Sequence, residues 1–467
     1  MAKNEIDMLH GRLWDRIPQF AFPLAVTGLL QQLFNATDLA VVGRFAGEHG
    51  KAAMAAIGAN GPVIGLLISA VLGISLGTNV LTANAKGRGD ETFLRKVLHT
   101  SVVFSVIVGV VVSVLAEVFA VQILSLMNVP EDVVPKAARY FRIFMGGVPI
   151  IMLYNFEAAA FRGIGNTKTP LKVLTFSGVL NVLLNLFFVC VIKMNVEGVA
   201  YATVIANAVS AVTLFVWLLR SRSALRLRVP EFRIDFPILG RILRLGIPAG
   251  ITGAVFSVAN LTIQSAINSL GTVVMAASSA AFTIEIFAYI VLNSFSQACT
   301  TFTGQNNGAG LPGRCKRVLK LCFLEGIVTT AFAATLILVF GHRILSIFTS
   351  DPAIIKVGYF RLVVVFFAYI FTLSDEVICG YLRGFGIAML PAILTVVGVC
   401  GVRVGWILLA FPHFRSFGCI MAAYPISLST TALLMLIALM IIKPASRMKA
   451  ANRRENREQG MGVTSDG

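Results

Sequence analysis

Apolar runs of about 20 residues, the length that crosses roughly 30 Å of hydrocarbon, recur about twelve times along this chain. They fall near residues 17–43, 53–80, 97–120, 140–160, 173–192, 198–219, 246–268, 275–303, 321–341, 357–380, 391–411 and 418–441. Backbone immersed in lipid must satisfy its own N–H and C=O groups, so runs of this kind fold as transmembrane helices. Composition agrees, with 57% of 467 residues hydrophobic, 13% charged and a mean hydropathy of +0.83. The expectation is an all-α polytopic membrane protein with twelve transmembrane helices. The opening stretch, MAKNEIDMLHGRLWDRIPQF, is charged and amphipathic and runs straight into the first span. That span therefore reads as its own insertion signal, with no cleavable leader.

A net charge of +17 raises the question of nucleic acid, and the placement of the 39 basic residues answers it. Twenty-eight of them sit in the N-terminus, every second connection and the tail. By the positive-inside rule both termini are cytoplasmic, and the charge is an orientation signal that touches anionic lipid headgroups. Nucleic-acid binding is not expected; a monomer in the plasma (inner) membrane of a prokaryote is. Seven cysteines lie in or beside apolar spans without metal-ligand spacing and read as small core residues, and the five histidines form no cluster. No cofactor is expected.

The two halves of the chain resemble each other. PLAVTGLLQQLFN from Pro23 aligns with PAGITGAVFSVAN from Pro248, YFRI at Tyr140 recurs as YFRL at Tyr359, and RGIG at Arg162 recurs as RGFG at Arg383. The offsets stay between 219 and 225, which marks a duplication. Six spans per half give both halves the same orientation, a parallel repeat. The expected domains are an N-lobe over 11–219, a linker over 220–245, a C-lobe over 241–442 and a basic tail over 443–467, with a V-shaped central cavity between the lobes. The linker sequence SRSALRLRVPEFRIDFP reads as an amphipathic basic stretch lying on headgroups.

Polar residues inside the spans are costly and need reasons. Helical spacing puts Gln31, Asn35 and Asp38 on one face of the first helix, Ser177, Asn181 and Asn185 on one face of the fifth, and Thr203, Asn207 and Ser210 on the sixth. Asp38, Asn185 and Thr203 fall at similar depth. A carboxylate, amide oxygens and a hydroxyl at one level suit Na⁺, and the carboxylate alone would serve for a proton. The alternative is polar glue between helices.

This stripe is not copied in the second half, where Asp38, Asn181 and Asn185 correspond to Ile263, Val402 and Trp406. That half has its own acids. Glu285 is placed either against substrate or in an ion pair with Arg403, while Asp375 and Glu376 lie toward the cytoplasmic end as structural or gating groups. Gln31, Asn35, Asn260, Gln264 and Glu285 are candidate substrate contacts. Glu157 and Arg162 are close enough in sequence to form a neutralised helix-end pair.

With LFNATDLAVVGRFAG, FRGIGNTKTPLKV, GVLNVLLNLFFV and GVAYAT in place, the chain resembles the multidrug and toxic compound extrusion (MATE) family over about residues 10–445. The resemblance implies secondary-active efflux of organic, often cationic compounds in exchange for H⁺ or Na⁺, by alternating access of two six-helix lobes. It also implies an N-lobe cation site at Asp38, Asn181, Asn185 and Thr203. Two departures stand out: Asn185 replaces an aspartate common in bacterial relatives, and SVANLTIQ in the seventh helix lacks a glutamate. A flippase for a lipid-linked precursor is the alternative on the same architecture. An enzyme would need a catalytic constellation, and neither that nor a GxxxxGK[ST] phosphate loop is present.

Overall fold

A computed structural model of the chain describes residues 4–45, 50–127, 133–221 and 225–462. Its elements in order are α1 (Leu13–Phe45), α2 (Gly50–Arg88), α3 (Glu91–Leu126), α4 (Val134–Gly146), α5 (Val148–Gly163), α6 (Lys168–Leu186), α7 (Val196–Arg220), α8 (Phe236–Asn268), α9 (Thr272–Gly308), α10 (Pro312–Ser346), α11 (Pro352–Gly384), α12 (Met389–Thr395), α13 (Val402–Leu409), α14 (Phe417–Ile442) and α15 (Pro444–Gly462). A π-helical turn, Phe187–Val191, extends α6, and another, Val396–Gly401, joins α12 to α13. Among the described residues ten helices are long and apolar enough to cross a membrane, eleven when α4 and α5 count as one span bent by 45°. The bend sits at Gly147, where Pro149 lacks the N–H that would carry one helix into the next. Adding the 33-residue α1, whose apolar stretch is diluted by Gln31, Gln32, Asn35 and Asp38, accounts for all twelve apolar runs.

Sequence duplication is structural duplication. The RGIG and RGFG stretches end α5 and α11 in the same way, with Gly165 and Gly386 at φ +91° and +82°. In each, the glycine N–H returns to the carbonyl three residues back (Arg162, 2.9 Å; Arg383, 2.8 Å) and the next N–H to the carbonyl five back (Phe161, 2.9 Å; Leu382, 3.0 Å). This is a Schellman stop, and the left-handed conformation explains the glycine. Two residues earlier than each, Gly163 and Gly384 let helices meet closely. A Cβ on Gly163 would lie 2.6 Å from Thr82 Cβ, and one on Gly384 would lie 2.6 Å from Thr303 Cβ. Thr82 and Thr303 are themselves 221 residues apart, the offset of the two glycines.

By their contacts the residues divide into two compact units. Unit 1 comprises Pro23–Thr82 and Asp90–Gly250 with the segment ending at Ile6; unit 2 comprises Asp7–Phe22, Ala83–Gly89 and Ile251 onward. The core of unit 1 gathers Phe141, Phe144, Met145 and Phe156 from α4 and α5 around Phe104 of α3, with the Phe104 and Phe156 rings edge to face at 5.9 Å. Unit 2 is built on α9, α11 and α14, where Ile378, Leu382 and Met435 pack together. Large apolar side chains such as Val118, Phe332, Phe367 and Leu409 stand exposed, as lipid-facing surface requires.

Part of the linker packs on the protein itself. Leu225 and Leu227 are buried, the Leu227 N–H bonds the Leu218 carbonyl at 3.0 Å, and Phe232 packs on the His99 ring at 5.6 Å. Leu225, Leu227 and Phe232 thus cover protein, while Val229 and Phe236 stand exposed. The tail, expected as a charged extension, is helical from Pro444, and Asn452 Nδ2 donates to the Gly310 carbonyl at 3.1 Å.

Candidate functional site

Three helices of unit 1 bring the expected quartet together. Asn181 and Asn185 lie one turn apart on α6 and point the same way. The close approach of α6 to α1 depends on Gly178, since a Cβ there would overlap the Phe34 ring. Asp38 of α1 then receives donors on both carboxylate oxygens: Asn185 Nδ2 reaches Oδ1 at 2.5 Å and Thr203 Oγ1 of α7 reaches Oδ2 at 3.2 Å. Asn185 Nδ2 also donates to Asn181 Oδ1 at 3.2 Å, and Asn181 Nδ2 to Thr203 Oγ1 at 3.4 Å, closing the ring of four side chains. Nearby, Ser177 and Ser210 share a 2.5 Å hydrogen bond, and Asn207 in mid-helix donates to the Thr203 carbonyl one turn back. These three are interhelix or intrahelix glue.

Asp38 differs from these three in carrying an ionisable group. It is 9% exposed and, among the described residues, no basic side chain pairs with it. A carboxylate at mid-membrane costs about 2.5–3.5 kcal/mol on insertion scales, and neutral donors offset only part of that. The quartet fits a small cation or a proton. Asn185 Oδ1 is buried with no donor, so a half-turn of that amide would offer a third oxygen beside the carboxylate without moving the helix. The oxygens of Asp38, Asn181, Asn185 and Thr203 are the hard ligands that Na⁺ prefers.

The remaining candidates are placed apart from the quartet or used otherwise. Gln31 lines a small cavity with Asn155, Arg162 and Thr167, while Asn35 and Asn260 are exposed and Gln264 bonds Asn268 at 2.8 Å. Glu376 accepts from Tyr289 Oη at 2.8 Å and Asn293 Nδ2 at 3.4 Å, and the neighbouring Asp375 has one buried oxygen without a partner. Two expected pairs are corrected. Glu285 does not meet Arg403: Arg361 of α11 takes both its oxygens, Nε to Oε1 at 2.6 Å and Nη2 to Oε2 at 2.8 Å. Glu157 does not meet Arg162, because both carboxylate oxygens are buried without a partner and the arginine lines the cavity instead.

A model of the MatE family matches residues 23–187 and 248–407, once in each half of the duplication. The chain belongs to the MATE family. It is 28% identical over 431 residues to the probable multidrug resistance protein YoeA of Bacillus subtilis, covering 90% of this chain and 92% of that protein. The probable multidrug resistance protein NorM of Thermotoga maritima is 25% identical, with 82% and 83% covered. An outward-facing structure of a multidrug resistance MATE family transporter superposes with a TM-score of 0.87 at 22% identity, over 94% of this chain and 98% of that one. That likeness establishes the twelve-helix fold.

Within this MATE transporter, three residues that sequence reasoning passed over bear on the sites. Arg361 belongs to the YFRI/YFRL repeat, and an arginine inside YFRLVVVFF poses the same question as Asp38: it calls for an acid partner. Its repeat counterpart Arg142 pairs with Glu117 at 3.2 Å where both are exposed. Tyr424 holds Arg361 from the other side, its Oη accepting from Nη2 at 3.3 Å. Tyr140 is buried and near enough to Asp38 to feel its charge.

Proposed function

We propose that this transporter is a secondary-active exporter of organic small molecules, driven by H⁺ or Na⁺ entering at Asp38. The observation that carries the reading is a buried carboxylate held between neutral donors, with an unused amide oxygen beside it. A cation or proton bound there cancels a charge that the surrounding helices leave uncompensated. Similarity to multidrug resistance proteins supports amphipathic organic substrates. The distribution of basic residues supports a multi-pass protein of a prokaryotic plasma membrane with both termini cytoplasmic, and we take the working unit to be a monomer.

Coupling requires the ion to bind one conformation better than the other. Moving a two-state equilibrium from 1:99 to 99:1 takes about 5.5 kcal/mol of differential affinity, and neutralising a membrane-buried charge supplies a large part of it. Asp38→Asn keeps the volume and the Thr203 contact while removing the charge. In proteoliposomes loaded with a fluorescent substrate, uphill efflux under either gradient is expected to vanish in this variant while downhill exchange persists. Near wild-type uphill efflux by Asp38→Asn would reassign the residue to helix packing.

A further inference from the structure

Unit 2 buries two arginines near one carboxylate. Glu285 is fully committed to Arg361, whose Nη1 also donates to Ser278 Oγ at 2.5 Å. Arg403 of α13, only 3% exposed, has no carboxylate: among the described residues its hydrogen bond runs from Nε to Ser427 Oγ at 3.3 Å. Its guanidinium lies over the Tyr424 ring at 4.7 Å and toward the Phe256 ring at 6.0 Å. Stacking on those rings fixes the fork and leaves Nη1 and Nη2 without a protein acceptor among the described residues. Neither nitrogen belongs to the sealed, unpartnered polar atoms, so both reach accessible space. A guanidinium set over aromatic rings, with two donors that have no protein acceptor among the described residues, matches the oxygen pair of a carboxylate or phosphate.

The duplication strengthens this reading. Tyr424 stands 221 residues after Thr203 and Val402 stands 221 after Asn181, so Arg403 occupies the region that corresponds to the Asp38 quartet. In one half an anion sits among neutral donors; in the other a cation sits among neutral rings. Each is one charge short of balance, with opposite sign.

We propose that Arg403 is an anion-recognising subsite for the transported compound, so that the preferred substrates are amphipathic organic acids or zwitterions that present a carboxylate or phosphate to its Nη1 and Nη2. The proposal rests on the transporter reading above but not on the role of Asp38. It gives the second half of the repeat a recognition task of its own.

Binding of rhodamine 110, which carries a free carboxylate, and of its methyl ester rhodamine 123 is measured by fluorescence anisotropy on the purified full chain in nanodiscs. The wild type is expected to bind the acid more tightly than the ester. Arg403→Gln should weaken the acid by about tenfold or more, the loss of a charge-assisted bidentate contact, and leave the ester within about twofold. Arg403→Lys keeps the charge without the fork and should fall between. A wild type that binds the acid no better than the ester overturns the proposal, as does a Gln variant that weakens both dyes alike. Adding phosphatidylglycerol to the nanodiscs should leave the preference intact; its disappearance would assign Arg403 to lipid headgroups and overturn the substrate role. The assay reads equilibrium binding with no ion gradient, so a failure of the coupling reading appears in flux and a failure of this one in binding.

Discussion

Two of the buried carboxylates meet opposite fates, and each fixes what substitution should do. Glu285 is the anionic half of a two-pronged pair with Arg361. Glu285→Gln leaves the arginine uncompensated, which costs about 3–5 kcal/mol for a broken buried pair. Thermal melts in detergent should show a large loss of stability for Glu285→Gln and substantial recovery in Glu285→Gln/Arg361→Met, where no charge is stranded. A loss confined to transport, with melting unchanged, would mean that the pair is not structural. Glu157 is the contrary case, fully buried with neither oxygen partnered. Glu157→Gln removes no contact and relieves a desolvated acid, so the melting temperature should hold or rise by a few degrees; a fall would reveal a counter-ion. The sequence marked Glu285 for either substrate or Arg403 and gave no sign that Arg361 is its partner. Both arginines lie in apolar runs, and helix rotation, which a linear spacing does not contain, decides which one meets the acid.

Helices and their junctions were legible to different degrees for physical reasons. Apolar length is a property of composition, so all twelve spans could be read, and RGIG with RGFG named the two Schellman stops because only glycine accepts their left-handed turn comfortably. The bend at Gly147, the π-helical turns and the docked linker depend on tertiary packing and left weaker marks. Glycine positions offer a test at this scale. Gly163→Ala and Gly384→Ala place a methyl within 2.6 Å of a threonine Cβ, whereas a Cβ on Gly58 meets nothing within 4 Å. The first two substitutions should destabilise by similar amounts, roughly 1–3 kcal/mol for overpacking, and Gly58→Ala should gain up to about 1 kcal/mol from helix propensity. The linker has its own clamp: His99 Nδ1 donates to the Arg95 carbonyl at 2.8 Å and Nε2 accepts from the Arg228 N–H at 3.0 Å. His99→Ala should speed tryptic cleavage at Arg226 and Arg228 several-fold while cleavage in the tail stays constant.

The whole molecule is a duplication that kept its scaffold and diverged in its chemistry. The Schellman stops, the close Gly–Thr crossings and the family match recur in both halves, but Asp38, Asn181 and Asn185 have Ile263, Val402 and Trp406 as counterparts. Ion binding is therefore expected once per chain, at one site, which makes its linkage to global stability simple. A ligand that binds only the folded state at 100 times its dissociation constant adds about 2.7 kcal/mol. If Na⁺ is the coupling ion, replacing K⁺ by Na⁺ at fixed ionic strength should raise the melting temperature by a few degrees along a one-site saturation curve, and Asp38→Asn should abolish the rise. Asn185→Ala should shift the curve to higher Na⁺ without abolishing it, because it deletes one neutral oxygen and keeps the charge. A wild type indifferent to Na⁺ that still exports uphill on a proton gradient, with Asp38→Asn inactive, assigns the ion as H⁺. A Na⁺ effect that survives Asp38→Asn places the ion elsewhere in the chain and removes the quartet from the coupling mechanism.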